Sequence, residues 1–222
     1  MSAADRDAGN AGITVASGVT VDSGAGTASL LIDTGYHSGD DASGDIQVDG
    51  TVRGRQISLI NNGKTAGSDV RVAAAGRLAG TDTSGTSVLV AVNGAGGGSF
   101  VSSAGANTIS TGAGSRYLVY SDAPTTTTEG MSGYNKHYNQ AYSATAPSYA
   151  ASGSWFLYKI APVLTVTPVS GLSKIYDGQA MGAIGYTGTP TGLIDGDANG
   201  ALTGVTVSTG AILYRNQLPL AA

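Results

Sequence analysis

The chain has 222 residues and no cysteine, which excludes disulfides, thiolate metal sites and cysteine nucleophiles together. Its net charge is −4, its basic residues are scattered from Arg6 to Arg215, and no apolar stretch approaches the ~18 residues of a spanning helix, so neither nucleic-acid binding nor a membrane span is expected. Glycine contributes 35 residues and charged residues only 12%, yet hydrophobic residues reach 41%, which is enough for a core built from short strands and tight turns.

The first residues, Met1-Ser2-Ala3-Ala4-Asp5-Arg6-Asp7, lack the apolar core of a secretory signal, and the expectation is a fragment of something longer. From Gly12 to about Ser121 the pattern is uniform. Ile13-Thr14-Val15, Val19-Thr20-Val21, Ile46-Gln47-Val48 and Val70-Arg71-Val72 alternate at period two, as strands with one inward face do. Asp22-Ser23-Gly24, Asn61-Asn62-Gly63, Asn93-Gly94 and Gly96-Gly97-Gly98 mark turns. Aliphatic clusters recur at Ser29-Leu30-Leu31-Ile32, Ile57-Ser58-Leu59-Ile60, Val88-Leu89-Val90-Ala91 and Tyr117-Leu118-Val119-Tyr120, with spacings of 28, 31 and 29 residues when aligned on 29, 57, 88 and 117. A second echo relates Gly44-Asp45-Ile46-Gln47-Val48 to Ser68-Asp69-Val70-Arg71-Val72, 24 residues on, and reads as a coil corner leading into an inward-facing strand. Such periods mean stacked coils, each unable to bury its apolar face alone. The prediction is a right-handed parallel β-helix over 1–122, about four coils tall, with Leu31, Leu59 and Val90 in one inward file and almost no helix.

Seven of the eleven tyrosines fall between Tyr117 and Tyr158, beside Trp155 and Phe156. Residues 123–162 read as an aromatic-rich capping segment that folds back over the last coil. After Pro162, Val163-Leu164-Thr165-Val166-Thr167-Pro168 is an extended strand closed by proline. The remainder, through Leu202-Thr203-Gly204-Val205-Thr206-Val207, reads as a small separate β module over 163–222.

Three runs in order, Arg116-Tyr117-Leu118-Val119-Tyr120-Ser121, Tyr134…Lys136-His137-Tyr138-Asn139 and Ser152-Gly153-Ser154-Trp155-Phe156-Leu157-Tyr158, resemble the region that closes the β-helical repeats of filamentous-haemagglutinin-like exoproteins, exported by two-partner secretion. Lys174-Ile175-Tyr176-Asp177-Gly178 and the later Leu202-Thr203-Gly204 are similar to the mostly-β repeat modules that follow it. The resemblance covers about half the chain, and the segment from Ile212 to Leu220 departs from those modules, so the immunoglobulin-like β module is expected to be incomplete. It implies an all-β, non-catalytic piece of a bacterial adhesin, secreted or displayed at the cell surface. The implied partners are a glycan or protein of a host or neighbouring cell, and an outer-membrane transporter for the parent protein.

Within that frame the best binding candidates are Tyr134, Tyr138, Tyr142, Tyr149 and Trp155, whose flat apolar faces and polar tips suit stacking on sugars or docking a protein. The competing reading packs them as the core of the cap. Asp195, Asp197 and Asn199 open like a calcium loop, but Thr206 stands where its bidentate carboxylate belongs, so a plain turn is favoured and no cofactor is expected. Asp40, Asp41, Asp45 and Asp49 form an acidic patch near His37, with Arg53 and Arg55 following, and carry the alternative of a β-helical polysaccharide lyase or hydrolase. His37 and His137 stand 100 residues apart with no second ligand at useful spacing, which argues against zinc. A purely structural stalk is the third reading.

Overall fold

Inward aliphatics at every second position, and glycines where coils meet, produce one repeated unit of three short strands. The computed structural model describes residues 12–32, 44–64, 67–163, 165–168 and 186–191. The first coil holds β1 (Ile13–Val15), β2 (Thr20–Asp22) and β3 (Thr27–Ile32), and the second holds β4 (Ile46–Val48), β5 (Thr51–Gly54) and β6 (Gln56–Asn61). The third holds β7 (Val70–Val72), β8 (Arg77–Gly80) and β9 (Thr86–Val92), and the fourth β10 (Phe100–Ser102), β11 (Ile109–Ser110) and β12 (Arg116–Ser121). Corresponding strands pair in parallel, giving sheets β1-β4-β7-β10 and β2-β5-β8-β11 and a third sheet that begins β3-β6-β9-β12. The described residues of Met1–Pro162 therefore form an all-β solenoid. Helix among the described residues is confined to short 3-10 turns at Gly105–Asn107 and Ser148–Ala151.

Register is set by burial. In the first sheet Ile13, Ile46, Val70 and Phe100 lie one above another, all buried. In the third, Leu30, Leu59, Val90 and Val119 do the same. Each such aliphatic contributes about 1.5–3 kcal/mol on burial, and a one-residue slip would turn every one of them to solvent. That rule corrects the first step of the sequence alignment. Ser29 pairs with Ser58 rather than Ile57, and Leu31 pairs with Ile60 on the outward face, so Leu31 does not share the file of Leu59 and Val90.

Glycines allow coils to approach where a side chain could not. A Cβ on Gly94 would lie 1.9 Å from the Gly63 carbonyl oxygen, and one on Gly50 would lie 2.2 Å from that of Val19. Elsewhere at the corners the side chains of one coil cap the next. The Asp45 carboxylate accepts from the Asp69 amide at 2.9 Å, and the Asp69 carboxylate accepts from the Ser99 amide at 2.6 Å. Buried Asn61 closes the adjoining corner, donating to the carbonyls of Gly44 and Asp69 at 2.9 Å each and accepting from the Gly63 amide at 3.0 Å. These bonds satisfy turn backbone that the ladders leave unpaired.

After the fourth coil the first sheet gains a single parallel bridge, Val101 to Thr128, and the third sheet gains two strands. β14 (Trp155–Tyr158) pairs with β12, and β13 (Asn135–His137) pairs in turn with β14. The core becomes aromatic there: Phe156 meets Phe100 edge-on at 5.7 Å and Tyr117 at 6.3 Å. Two compact units divide the chain at Met1–Pro162 and Val163–Ala222. In the second, β15 (Thr165–Pro168) and β16 (Tyr186–Thr191) form an antiparallel pair. The immunoglobulin-like reading of this module otherwise falls outside the described residues.

Candidate functional site

The five aromatic candidates divide between two surfaces. Tyr134 and Tyr138 pack against the solenoid core at its C-terminal end. The Tyr134 ring lies 4.6 Å from that of Phe156, and Tyr138 stacks on Tyr158 at 5.6 Å and 19°. Beneath them Glu129, the only glutamate of the chain, accepts from the Tyr134 hydroxyl at 2.5 Å and from the Tyr158 hydroxyl, and holds the Lys136 ammonium at 2.7 Å. Lys136 also sits over the rings of Tyr134 and Tyr158. Both charges are largely buried, so this arrangement locks the end of the stack.

Tyr142, Tyr149 and Trp155 belong to the outer face of the third sheet. That face carries a second apolar cluster of Ala91, Leu118, Tyr120, Ala150 and Leu157, covered by the chain between β13 and β14. Tyr142 meets Tyr120 edge-on at 5.2 Å and serves that cluster. Tyr149 is 37% exposed and stacks on His137 at 4.2 Å and 13°, with Trp155 at 5.4 Å and 65° to it. Their polar tips are fixed: the Tyr149 hydroxyl donates to Gln140 Oε1 at 2.8 Å, and Trp155 Nε1 donates to the Ser152 carbonyl at 2.8 Å. The result is a preorganised, partly open aromatic patch on a sheet, the kind of surface that stacks on a sugar ring or anchors a protein contact. His137, weighed in the sequence only as a metal ligand, is its third member. Its signal was the alternation of β13, which sends Asn135 and His137 to one side and Lys136 to the other.

Burial shifts the phenols around this region. Tyr117 is pushed up to about 12, first by desolvation and then by the Glu129 carboxylate. Tyr120 is also raised to about 12 by desolvation, with smaller increments from Tyr149 and Tyr142 and an opposing one from Arg116. Partial burial raises Tyr149 as well. Neither the Tyr117 nor the Tyr120 hydroxyl has a hydrogen-bond partner among the described residues.

Of the four acidic residues of the sequence patch, Asp45 and Asp49 are described. Asp45 and Asp49 bracket β4 at its two ends. Asp45 is engaged by the Asp69 amide and by Arg71 Nε at 2.7 Å, and Asp49 accepts from Gln47 at 2.5 Å. Arg53 and Arg55 stand 4.0 Å from Asp22 and Asp82 respectively, not beside Asp45. Asp40, Asp41 and His37 lie outside the described residues, as do Asp195, Asp197 and Asn199 of the calcium candidate. Among the described residues no group of three or more His, Cys, Asp or Glu is placed to hold a metal, and no helix is long and apolar enough to cross a membrane. No family model, curated protein or solved structure matches the chain.

Proposed function

We propose that this chain is a non-catalytic part of a bacterial adhesin, secreted or displayed at the cell surface, whose solenoid presents binding surfaces to a glycan or protein of another cell. The parent protein, on this reading, passes an outer-membrane transporter by two-partner secretion. The observation that supports it best is the patch of Tyr149, His137 and Trp155, with its polar tips already bound and its rings partly open on a sheet face. Aromatic contacts of this kind are individually weak, and repeated presentation on coils raises avidity without a deep pocket. The haemagglutinin-like resemblance of the three aromatic motifs in the sequence supports the same reading.

The test is binding of the whole chain to a glycan array and to intact cells. Tyr149→Ala is expected to lower retention about tenfold, the equivalent of ~1.4 kcal/mol, with an unchanged melting temperature. Retention that survives Tyr149→Ala removes the patch as the site. No retention on any surface would leave the solenoid as a stalk.

A further inference from the structure

A groove of about 430 Å³ opens at the corner between β9 and β10, lined by Gly67, Asp69, Arg71, Gly96–Ser99, Val101, Asp122 and Thr126. Two of its charged groups have capacity left over. Arg71 gives Nε to Asp45 at 2.7 Å and one Nη2 hydrogen to Asp69, and these two carboxylates hold the guanidinium plane still. Its Nη1 donors have no partner among the described residues, and the side chain is 42% exposed. Asp122 is only 23% exposed, yet its carboxylate accepts no hydrogen bond among the described residues. Its one charged neighbour among the described residues is the Lys159 ammonium at 3.8 Å, beyond hydrogen-bond reach. By contrast Ser99 and Thr126 satisfy each other, hydroxyl to hydroxyl at 2.6 Å. The groove thus offers a fixed, unspent donor and a sheltered, unspent acceptor, with glycines that leave its walls bare.

We propose that this corner groove binds a neutral sugar residue through a pair of neighbouring hydroxyls, one accepting from Arg71 Nη1 and the other donating to Asp122. A hydroxyl is both donor and acceptor, so a vicinal diol meets both requirements with one small ligand. Charge selects against an anion: Asp45, Asp69 and Asp122 outnumber Arg71 and Lys159. Peptides are recognised on open strand edges or in apolar grooves, and among the described residues Val101 is the only large apolar side chain on these walls. The groove shares no residue with the Tyr149 patch, and its ligand chemistry is argued without it.

The experiment follows backbone amides and Arg71 Nε of the ¹⁵N-labelled whole chain during titration with methyl β-galactoside, methyl α-mannoside, N-acetylglucosamine and glucuronate. At least one neutral sugar should shift Gly96, Gly97, Gly98, Ser99 and Arg71 Nε saturably at millimolar concentration. Asp122→Asn should weaken that binding about tenfold, Val101→Phe should block it by filling the groove, and Tyr149→Ala should leave it unchanged. The proposal is overturned by any of four results. These are no shift from any of the sugars, shifts only around Trp155, tighter binding of glucuronate than of the neutral sugars, or binding that persists in both groove variants. Shifts from an acetylated alanine tripeptide amide, but from none of the sugars, would assign the groove to a peptide and overturn it equally.

Discussion

Glu129 gathers three donors from three points of the capping segment: the Tyr134 hydroxyl, the Lys136 ammonium and the Tyr158 hydroxyl. Removing a largely buried carboxylate takes the shared acceptor from all three, whereas removing one tyrosine hydroxyl takes away a single donor. Glu129→Ala is therefore expected to destabilise the first unit by about 3–5 kcal/mol, read as a lower urea midpoint with Trp155 fluorescence as probe. A loss below about 1 kcal/mol, the scale of an exposed pair, would show that these contacts do not hold the cap. Nothing local in the sequence marks Glu129. Its role depends on β14 returning to pair with β12, a contact spanning more than thirty residues, and only the isolation of a single glutamate in a tyrosine-rich segment hinted at it.

At the scale of elements, period-two alternation was the dependable guide. Ile46 and Val48, and Val70 and Val72, point inward as their pattern requires, and the 24-residue echo is the true register of β4 on β7. The step from β3 to β6 was misaligned by one because each strand sets aliphatics side by side on both faces, Leu30-Leu31-Ile32 in β3 and Leu59-Ile60 in β6, and the shared Ser-Leu pair, Ser29-Leu30 with Ser58-Leu59, was the better anchor. The unbroken apolar runs of β9 and β12 carried a further message: strands buried on both faces lose alternation. Leu118 and Tyr120 point outward, away from Val119, and are still buried because the chain between β13 and β14 lies over them. The raised phenols of β12 have a measurable consequence. Tyr117 and Tyr120 ionise near the ordinary phenol value of 10.0 when unfolded and are pushed up to about 12 when folded. Between those values the unfolded chain has released protons that the native state retains, so stability falls as pH rises through that window and is fully present below it. The loss is up to about 2–3 kcal/mol for each tyrosine. Alkaline titration of tyrosinate absorbance should show Tyr117 and Tyr120 ionising only with unfolding, and Tyr120→Phe should remove one such phenol. An unchanged melting temperature between pH 9 and pH 12 would contradict this account, those limits being set about one unit below the ordinary phenol and at the raised value.

For the whole molecule, the division at Pro162 and Val163 gives each unit its own internal contacts. Val163 is 80% exposed and Ile160 is 47% exposed, so the chain leaves the solenoid core before it enters the second unit. A fragment of residues 1–162 should keep the β-sheet circular dichroism of the first unit and melt within about 2 °C of the same transition in the full chain, less than the shift a 1 kcal/mol loss produces in a domain of this size. A much lower transition would mean that residues 163–222 support the coils. The architecture was legible because solenoids repeat their code at each coil. The candidate site was less so, since the sequence grouped five aromatics by proximity along the chain while the sheet sends them to opposite faces.

The corner carboxylates give this assembly a direction of travel. Asp45 waits for the amide of Asp69, and Asp69 waits for that of Ser99, so the second and third turns each present the socket into which the next one plugs. A polypeptide fed out from its beginning through a narrow opening would find each socket ready before the matching plug arrived. Delivered from the other end, the same plugs would emerge with nothing to receive them.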